Sequence, residues 1–304
     1  MKVYNNLKEI AAIKNPVVTI GSFDGVHVAH RLILKRIIKL AKEIDGESVI
    51  LTFDPHPREF LNPDLKIELL NTKEEKIQLL EKIGIDNVVF IPFTLEFSKI
   101  TSRDFIYRIL HQKLNAKKIV IGYNHFFGHN REGGFDVLYN MGRNLGFTVE
   151  EIPEQDIQNE SISSSKIRNA LEVGDLIKAH AYLHYDYSIS GQLMEGEPIF
   201  SEFGYRSWLL NINNTKKLIP GEGLYYANVL SNDRLWESAI MIKKDAVIEE
   251  KSIHILLVGD DSTMIHQKVE IIFKHMVRKC PEDNDCNDLK RILEAIIIKA
   301  GNPF

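Results

Sequence analysis

Residues 17–30 read Val-Val-Thr-Ile-Gly-Ser-Phe-Asp-Gly-Val-His-Val-Ala-His, a β-branched run that breaks into a glycine-bounded turn and ends on two histidines. A helix that starts near His27 presents N–H groups without intrahelical partners and the positive end of its dipole. Gly21 and Gly25 let backbone come close to a ligand, with Ser22, Phe23 and Asp24 between them. His27 and His30 then fall on one side of the first turn, each able to donate to a phosphate oxygen. The plainer reading makes Ser22 or Asp24 an ordinary helix cap and leaves the histidines solvated.

Further along, Ser163, Ser164 and Ser165 open a helical pattern and are followed by Lys166 and Arg168. Hydroxyls and free N–H groups at a helix start, with fixed positive charge behind them, suit a triphosphate; a cap with solvated charges is the alternative. Phe53 ends an apolar run and leads into Asp54-Pro55-His56-Pro57, a rigid turn. The stretch Gly122–Gly134 places Phe126 and Phe127 before Gly128, with His129, Asn130 and Arg131 after it. Five histidines, His27, His30, His56, His125 and His129, raise the question of a metal. Structural zinc sites usually include cysteine and the first pair suits phosphate, so no metal ligand is assigned.

The elements that must hold these residues alternate. Apolar runs at 17–20, 48–53, 87–91 and 118–121 are separated by amphipathic segments such as 32–42 and 73–82. Strands apolar on both faces, alternating with helices, predict a parallel sheet covered on both sides, with ligands at the carboxyl ends of its strands. A helical hairpin is expected from Ser163 to about Leu183, with Gly174 as its stop. After Tyr185 the pattern changes to short strands at 187–193, 223–230, 238–242, 253–258 and 269–273, a small β-barrel or sandwich, closed by a helix at 288–299. The fold class is thus α/β over residues 1–185 and a small β-domain over 186–304.

The combination Gly-x-Phe-Asp-Gly-x-His-x-x-His resembles the His-x-Gly-His signature of the nucleotidyltransferase superfamily, in the form carried by the bacterial FAD synthetase family. Thr52–Pro57, Gly122–Gly134 and Ile162–Arg168 resemble that family's FMN adenylyltransferase motifs in the same order and at similar spacing. The resemblance implies a Rossmann-like nucleotidyltransferase domain that joins the AMP part of ATP to FMN, giving FAD and pyrophosphate, with Mg²⁺ on the phosphates. It places His27, His30, Ser164 and Arg168 in catalysis. Gly21, Ser22, Phe23, Asp24, Gly25, Asn124, Ser163, Ser165 and Lys166 are assigned to the nucleotide. Phe53, Asp54, His56, Pro57, Phe127, Gly128 and Arg131 are assigned to the flavin. Ala29 departs from the family, which has Gly there, and modest impairment is expected from the added methyl.

Residues 186–304 resemble the family's C-terminal riboflavin kinase barrel, with larger departures. The family's Gly-Phe-Pro-Thr-Ala-Asn falls on Gly204-Tyr205-Arg206-Ser207-Trp208-Leu209, and its catalytic Glu aligns with Ser252, two residues before His254. Phosphoryl transfer needs metal placement and a positioned base, so an inactive kinase-like domain is expected. Glu249 or Glu250 replaces the base only if the register shifts. The competing functions are a flavin-sensing protein without catalysis, a fully bifunctional enzyme, and a nucleotidyltransferase for another phosphate ester.

Composition narrows the partners. Over 304 residues, 38 Lys and Arg against 42 Asp and Glu leave a net charge of −4, which offers no basic field for polymeric nucleic acid. Cys280 and Cys286 are too few for a disulfide scaffold and fit a reducing compartment. The start of the chain lacks a signal-peptide core and no apolar run is long enough to cross a bilayer, so a cytoplasmic protein without membrane contact is expected. Homo-oligomerisation is left open.

Overall fold

The computed structural model describes residues 1–61, 67–123, 125–153, 162–196, 207–212, 216–244, 250–257 and 267–279. Asn124, Gly204–Arg206, Glu249, both cysteines and the expected helix at 288–299 lie outside them. The chain divides into two compact units, Met1–Ser164 and Ser165–Phe304.

The first unit is built on a six-stranded, wholly parallel sheet. Its strands are β1 (Lys2–Tyr4), β2 (Val17–Ile20), β3 (Ser48–Phe53), β4 (Asn87–Ile91), β5 (Lys118–Gly122) and β6 (Thr148–Ile152), in spatial order β1-β4-β3-β2-β5-β6. The helices are α1 (Val28–Glu43), α2 (Pro57–Leu61), α3 (Lys73–Ile83), α4 (Leu95–Ser98), α5 (Ser102–Asp104), which continues as a π-helix over Phe105–Lys113, and α6 (Phe135–Leu145). β2 and β4 are buried at every position, because helices cover both faces of a parallel sheet. α1 turns Leu34, Ile37, Leu40 and Ala41 inward at helical spacing. The chain runs from β2 outward through β3 and β4, then returns to β5 on the other side of β2. That reversal makes the carboxyl ends of β2 and β5 a topological switch point, the usual ligand crevice of open α/β sheets.

The sequence pattern found the four inner strands and missed the edges. β1 has only three residues, and β6 reads Thr-Val-Glu-Glu-Ile, too polar to resemble a buried strand. Glu150 is polar for a reason: Arg36 of α1 grips it with two hydrogen bonds, Nε at 2.6 Å and Nη2 at 2.8 Å.

The second unit begins in α7 (Ser164–Glu172) and α8 (Leu176–Leu183), with Gly174 between them at φ +78°. It continues as a closed antiparallel barrel of β7 (Ser188–Glu195), β8 (Trp208–Asn211), β9 (Gly223–Ser231), β10 (Arg234–Lys244), β11 (Lys251–Leu257) and β12 (Lys268–Lys279), in the order β10-β11-β8-β7-β12-β9. Closure removes exposed edges, and buried positions alternate with half-buried ones along β7 and β9. β8, which reads Trp-Leu-Leu-Asn, was not among the strands expected from the sequence. Among the described residues no helix is long and apolar enough to cross a membrane.

Candidate functional site

The turn after β2 is strained. Phe23, Gly25 and Val26 have φ of +47°, +84° and +38°, and a β-branched residue in the left-handed region is a genuine outlier. Several hydrogen bonds hold it. The Ser22 carbonyl accepts from Lys76 Nζ at 2.7 Å and from Thr52 Oγ1 at 3.1 Å. The buried Asp24 carboxylate accepts from the backbone N–H of Leu70 at 3.0 Å and, more weakly, of Asn71 at 3.4 Å. Arg31 Nε donates to the Val26 carbonyl at 3.1 Å, and Ser164 Oγ donates to the Asp24 carbonyl at 2.9 Å. Neither Ser22 nor Asp24 caps the helix. His27 stands at the N-cap of α1 and makes no side-chain cap bond.

The two histidines meet. Their rings stack with centroids 3.6 Å apart and 17° between planes, and Phe23 packs its ring against His30 at 5.1 Å. His27 is not solvated, being only 4% exposed, and His30 is half-buried. Burial lowers His27 to about 4 against the pull of Asp24. Burial also takes His30 well below its usual value, and the neighbouring His27 and Lys76 add to the fall. Both imidazoles are therefore neutral near pH 7, and the Nδ1 atom of each is buried without a hydrogen-bond partner. A pair of neutral imidazoles at a helix N-terminus can hydrogen-bond phosphate oxygens without bringing like charges together. Ala29 is 7% exposed and belongs to the core cluster of Val17, Val26 and Leu34.

The segments after β3 and β5 are joined by aromatic rings. Phe127 is buried against Phe105 at 5.4 Å, Phe105 against Phe97 at 6.2 Å, and Phe97 against Phe53 at 5.9 Å. Phe93 touches Phe53, Phe97 and Phe60 at 5.6, 5.7 and 5.8 Å. Phe53, Phe60, Phe93 and Phe97 are half-buried, so this is an apolar wall open on one side. Pro57 opens α2 and His56 Nδ1 accepts from the Arg58 N–H at 3.2 Å, while Asp54 is paired with Lys73 at 3.0 Å.

Gly128 sits at φ +77°, and a Cβ there would lie 2.7 Å from the backbone nitrogen of Ser102. Phe127 and Gly133 exchange backbone hydrogen bonds at 3.0 and 2.9 Å, and Glu132 accepts from the Ser102 N–H at 2.8 Å. Phe126 is 52% exposed, with the Arg131 guanidinium 5.4 Å above its ring. The two adjacent phenylalanines thus divide between core and surface. His125 is held neutral by burial, with a value near 4, and stacks on Phe127 at 5.9 Å.

In the first unit, then, Gly21–Gly25, His27, His30 and Ser164 come together, and a chain of rings connects Phe53 with Phe127. In the second, Ser165 and Lys166 are exposed and Arg168 is half-buried on α7, with Ile167 inward. Lys76, Phe60, Phe93 and Phe97 were not singled out by the sequence, and Thr52 stood there only as the first residue of the Thr52–Pro57 motif. The one signal for Lys76 was a lysine four residues before the core residue Leu80, on the buried stripe of α3. In the barrel, Ser207 and Trp208 are buried, and Ser252 Oγ lies 2.9 Å from His254 Nε2. Glu250 is exposed, and the register pairs Ser252 with Lys243 and His254 with Met241 without a shift. Among the described residues no three His, Cys, Asp or Glu side chains cluster to hold a metal.

Residues 9–166 match the family model described as FAD synthetase, and residues 183–300 match the one described as riboflavin kinase. A Buchnera aphidicola (subsp. Schizaphis graminum) protein named bifunctional riboflavin kinase/FMN adenylyltransferase is 34% identical over 74% of this chain and 71% of its own length. A Pseudomonas fluorescens protein of the same name is 27% identical over 93% of this chain and 91% of its own. A solved structure described as a macrolide-efflux protein from Streptococcus pneumoniae superposes with a TM-score of 0.86 over 99% of both chains; at 21% identity this is a likeness of fold alone.

Proposed function

The chain belongs to the FAD synthetase family and is an enzyme of the nucleotidyltransferase class, and from that premise we propose that it makes FAD by transferring the adenylyl group of ATP to FMN. The observation that carries this reading is the stacked, neutral His27–His30 pair at the N-terminus of α1, with a buried unpartnered nitrogen on each ring. An oxygen of the FMN phosphate attacks the α-phosphorus of ATP; the new P–O bond forms as the bond to the β-phosphate oxygen breaks, and pyrophosphate leaves.

No protein nucleophile is needed. Catalysis comes from positioning and from donors aimed at phosphate oxygens. His27, His30, Ser164 and Arg168 serve the phosphates, with Ser163, Ser165 and Lys166 beside them in sequence. Gly21 to Gly25 let the nucleotide approach the backbone, where Asp24 acts through its main chain because its carboxylate is engaged by residues 70 and 71. Asn124 is assigned to the nucleotide on the family resemblance. Mg²⁺ enters as part of the substrate, MgATP. The flavin ring lies against the aromatic wall, with Asp54, His56, Pro57, Gly128 and Arg131 at its rim and Phe53 and Phe127 within it.

The second unit keeps the riboflavin kinase barrel, and we propose that it has lost the kinase reaction. Support comes from Ser252, which stands where the family carries its catalytic Glu and is hydrogen-bonded to His254, and from Trp208 and Leu209, which stand at the end of the family's phosphate and metal motif. Neither a base nor a metal-binding side chain is present at those positions.

One assay separates the possibilities. Purified protein is incubated with MgATP and either FMN or riboflavin, and the flavins are resolved by chromatography. FAD is expected from FMN, and no FMN from riboflavin. Tight flavin binding without FAD would turn the reading towards a sensor; FMN made from riboflavin would overturn the loss of kinase activity.

A further inference from the structure

Lysine is seldom buried unless paired or hydrogen-bonded, yet Lys76 is 7% exposed, on the same stripe of α3 as Leu80. An apolar residue would pack there without desolvating a charge. What the ammonium touches is the turn: Nζ donates to the Ser22 carbonyl at 2.7 Å. That carbonyl immediately precedes the left-handed residues, and Thr52 supplies its second donor from β3.

The charged groups facing this corner come from every element around it. Burial lowers the Lys76 ammonium below its usual value, and Asp24 of the turn and Asp54 after β3 oppose that fall. Lys73 is paired with Asp54, and Arg31 of α1 is bound to the Val26 carbonyl. His27 and His30 also stand at this corner, and His30 feels the Lys76 charge.

We propose that Lys76 is a positioning residue of the adenylyl transfer: it fixes the Ser22 carbonyl and, through it, the strained turn that sets the stacked imidazoles against phosphate. The inference rests on the adenylyltransferase reading above. Its charge also disfavours protonation of the histidines, so removing it makes them easier to protonate and moves the acid limb of the rate profile to higher pH.

The test follows FAD formation against pH in wild type, Lys76→Met, Lys76→Gln and Lys76→Arg, with histidine titration by NMR on each protein without ligand. In Lys76→Met, kcat is expected to fall roughly 10–100-fold, the scale of a misplaced catalytic group, with the acid limb and the histidine titrations shifted upward. Lys76→Arg restores most of both. Lys76→Gln keeps a donor for Ser22 but no charge, so its histidines titrate high even if its turn is intact, and it decides the matter should the Met variant not fold. Wild-type kcat and acid limb in Lys76→Met or Lys76→Gln would overturn the proposal, as would histidine titrations unchanged in both. Wild-type protein that makes no FAD would instead sink the adenylyltransferase reading, while the titrations would still judge Lys76.

Discussion

At the scale of single residues, the turn after β2 is held in place by its neighbours in the protein. Val26 and Phe23 hold backbone angles that cost energy, and they persist because neighbouring hydrogen bonds over-determine them. Asp24 is the clearest case. Its carboxylate is 1% exposed and takes the N–H groups of Leu70 and Asn71. Asp24→Ala would leave those donors buried without their acceptor, and about 1–3 kcal/mol of stability is expected to be lost for each. Denaturant unfolding of the variant checks this; a stability within about 0.5 kcal/mol of wild type, the range of an ordinary surface change, would contradict the clamp. Ala29 belongs to this scale too. Its place in the core cluster with Val17 and Val26 gives its methyl a packing role.

Among elements, the loop after β5 is placed by contacts to α5 and its π-helical continuation. Gly128 lies against the backbone of Ser102 with no room for a side chain, and Phe127 packs on Phe105 in the π-helix. Gly128→Ala must push the loop away from Ser102, and its φ of +77° disfavours any L side chain besides. Because Phe127 and Arg131 flank this position, the KM for FMN is expected to rise about tenfold or more, by loss of well-placed apolar contact, while the KM for ATP stays close to wild type. Steady-state kinetics with each substrate varied in turn would show it, and an equal rise in both would argue against separate flavin and nucleotide segments.

For the whole molecule, acid should act on the two units unequally. His27 titrates near 6.5 when unfolded and near 4 when folded. Between those values the unfolded chain binds more protons, so stability is full above pH 6.5 and falls as the pH drops to 4, by about 3 kcal/mol for this group. His125, with the same window, and His30 add to the loss in the first unit. Both tryptophans, Trp208 and Trp236, lie in the barrel unit. Urea unfolding followed by far-UV ellipticity is therefore expected to shift to lower urea on acidification more than unfolding followed by tryptophan emission. Coincident shifts of the two signals would refute the assignment of acid sensitivity to the first unit.

The sequence alone determined the inner strands and the succession of an α/β fold and a β-barrel, and it offered the motifs proposed to meet phosphate. Those features are local: a fully buried strand must be apolar throughout, and a turn between strand and helix needs small residues at fixed spacing. It did not reveal β8, nor β1 and β6, whose shortness and polarity hide them, since edge strands take their identity from partners distant in the chain. Tertiary structure alone decided that His27 and His30 stack rather than face water, that Lys76 reaches the Ser22 carbonyl, and that Phe93 and Phe97 bridge the segments after β3 and β5. The last two are contacts between elements, set by how helices and loops close over the sheet. No spacing within one segment encodes them.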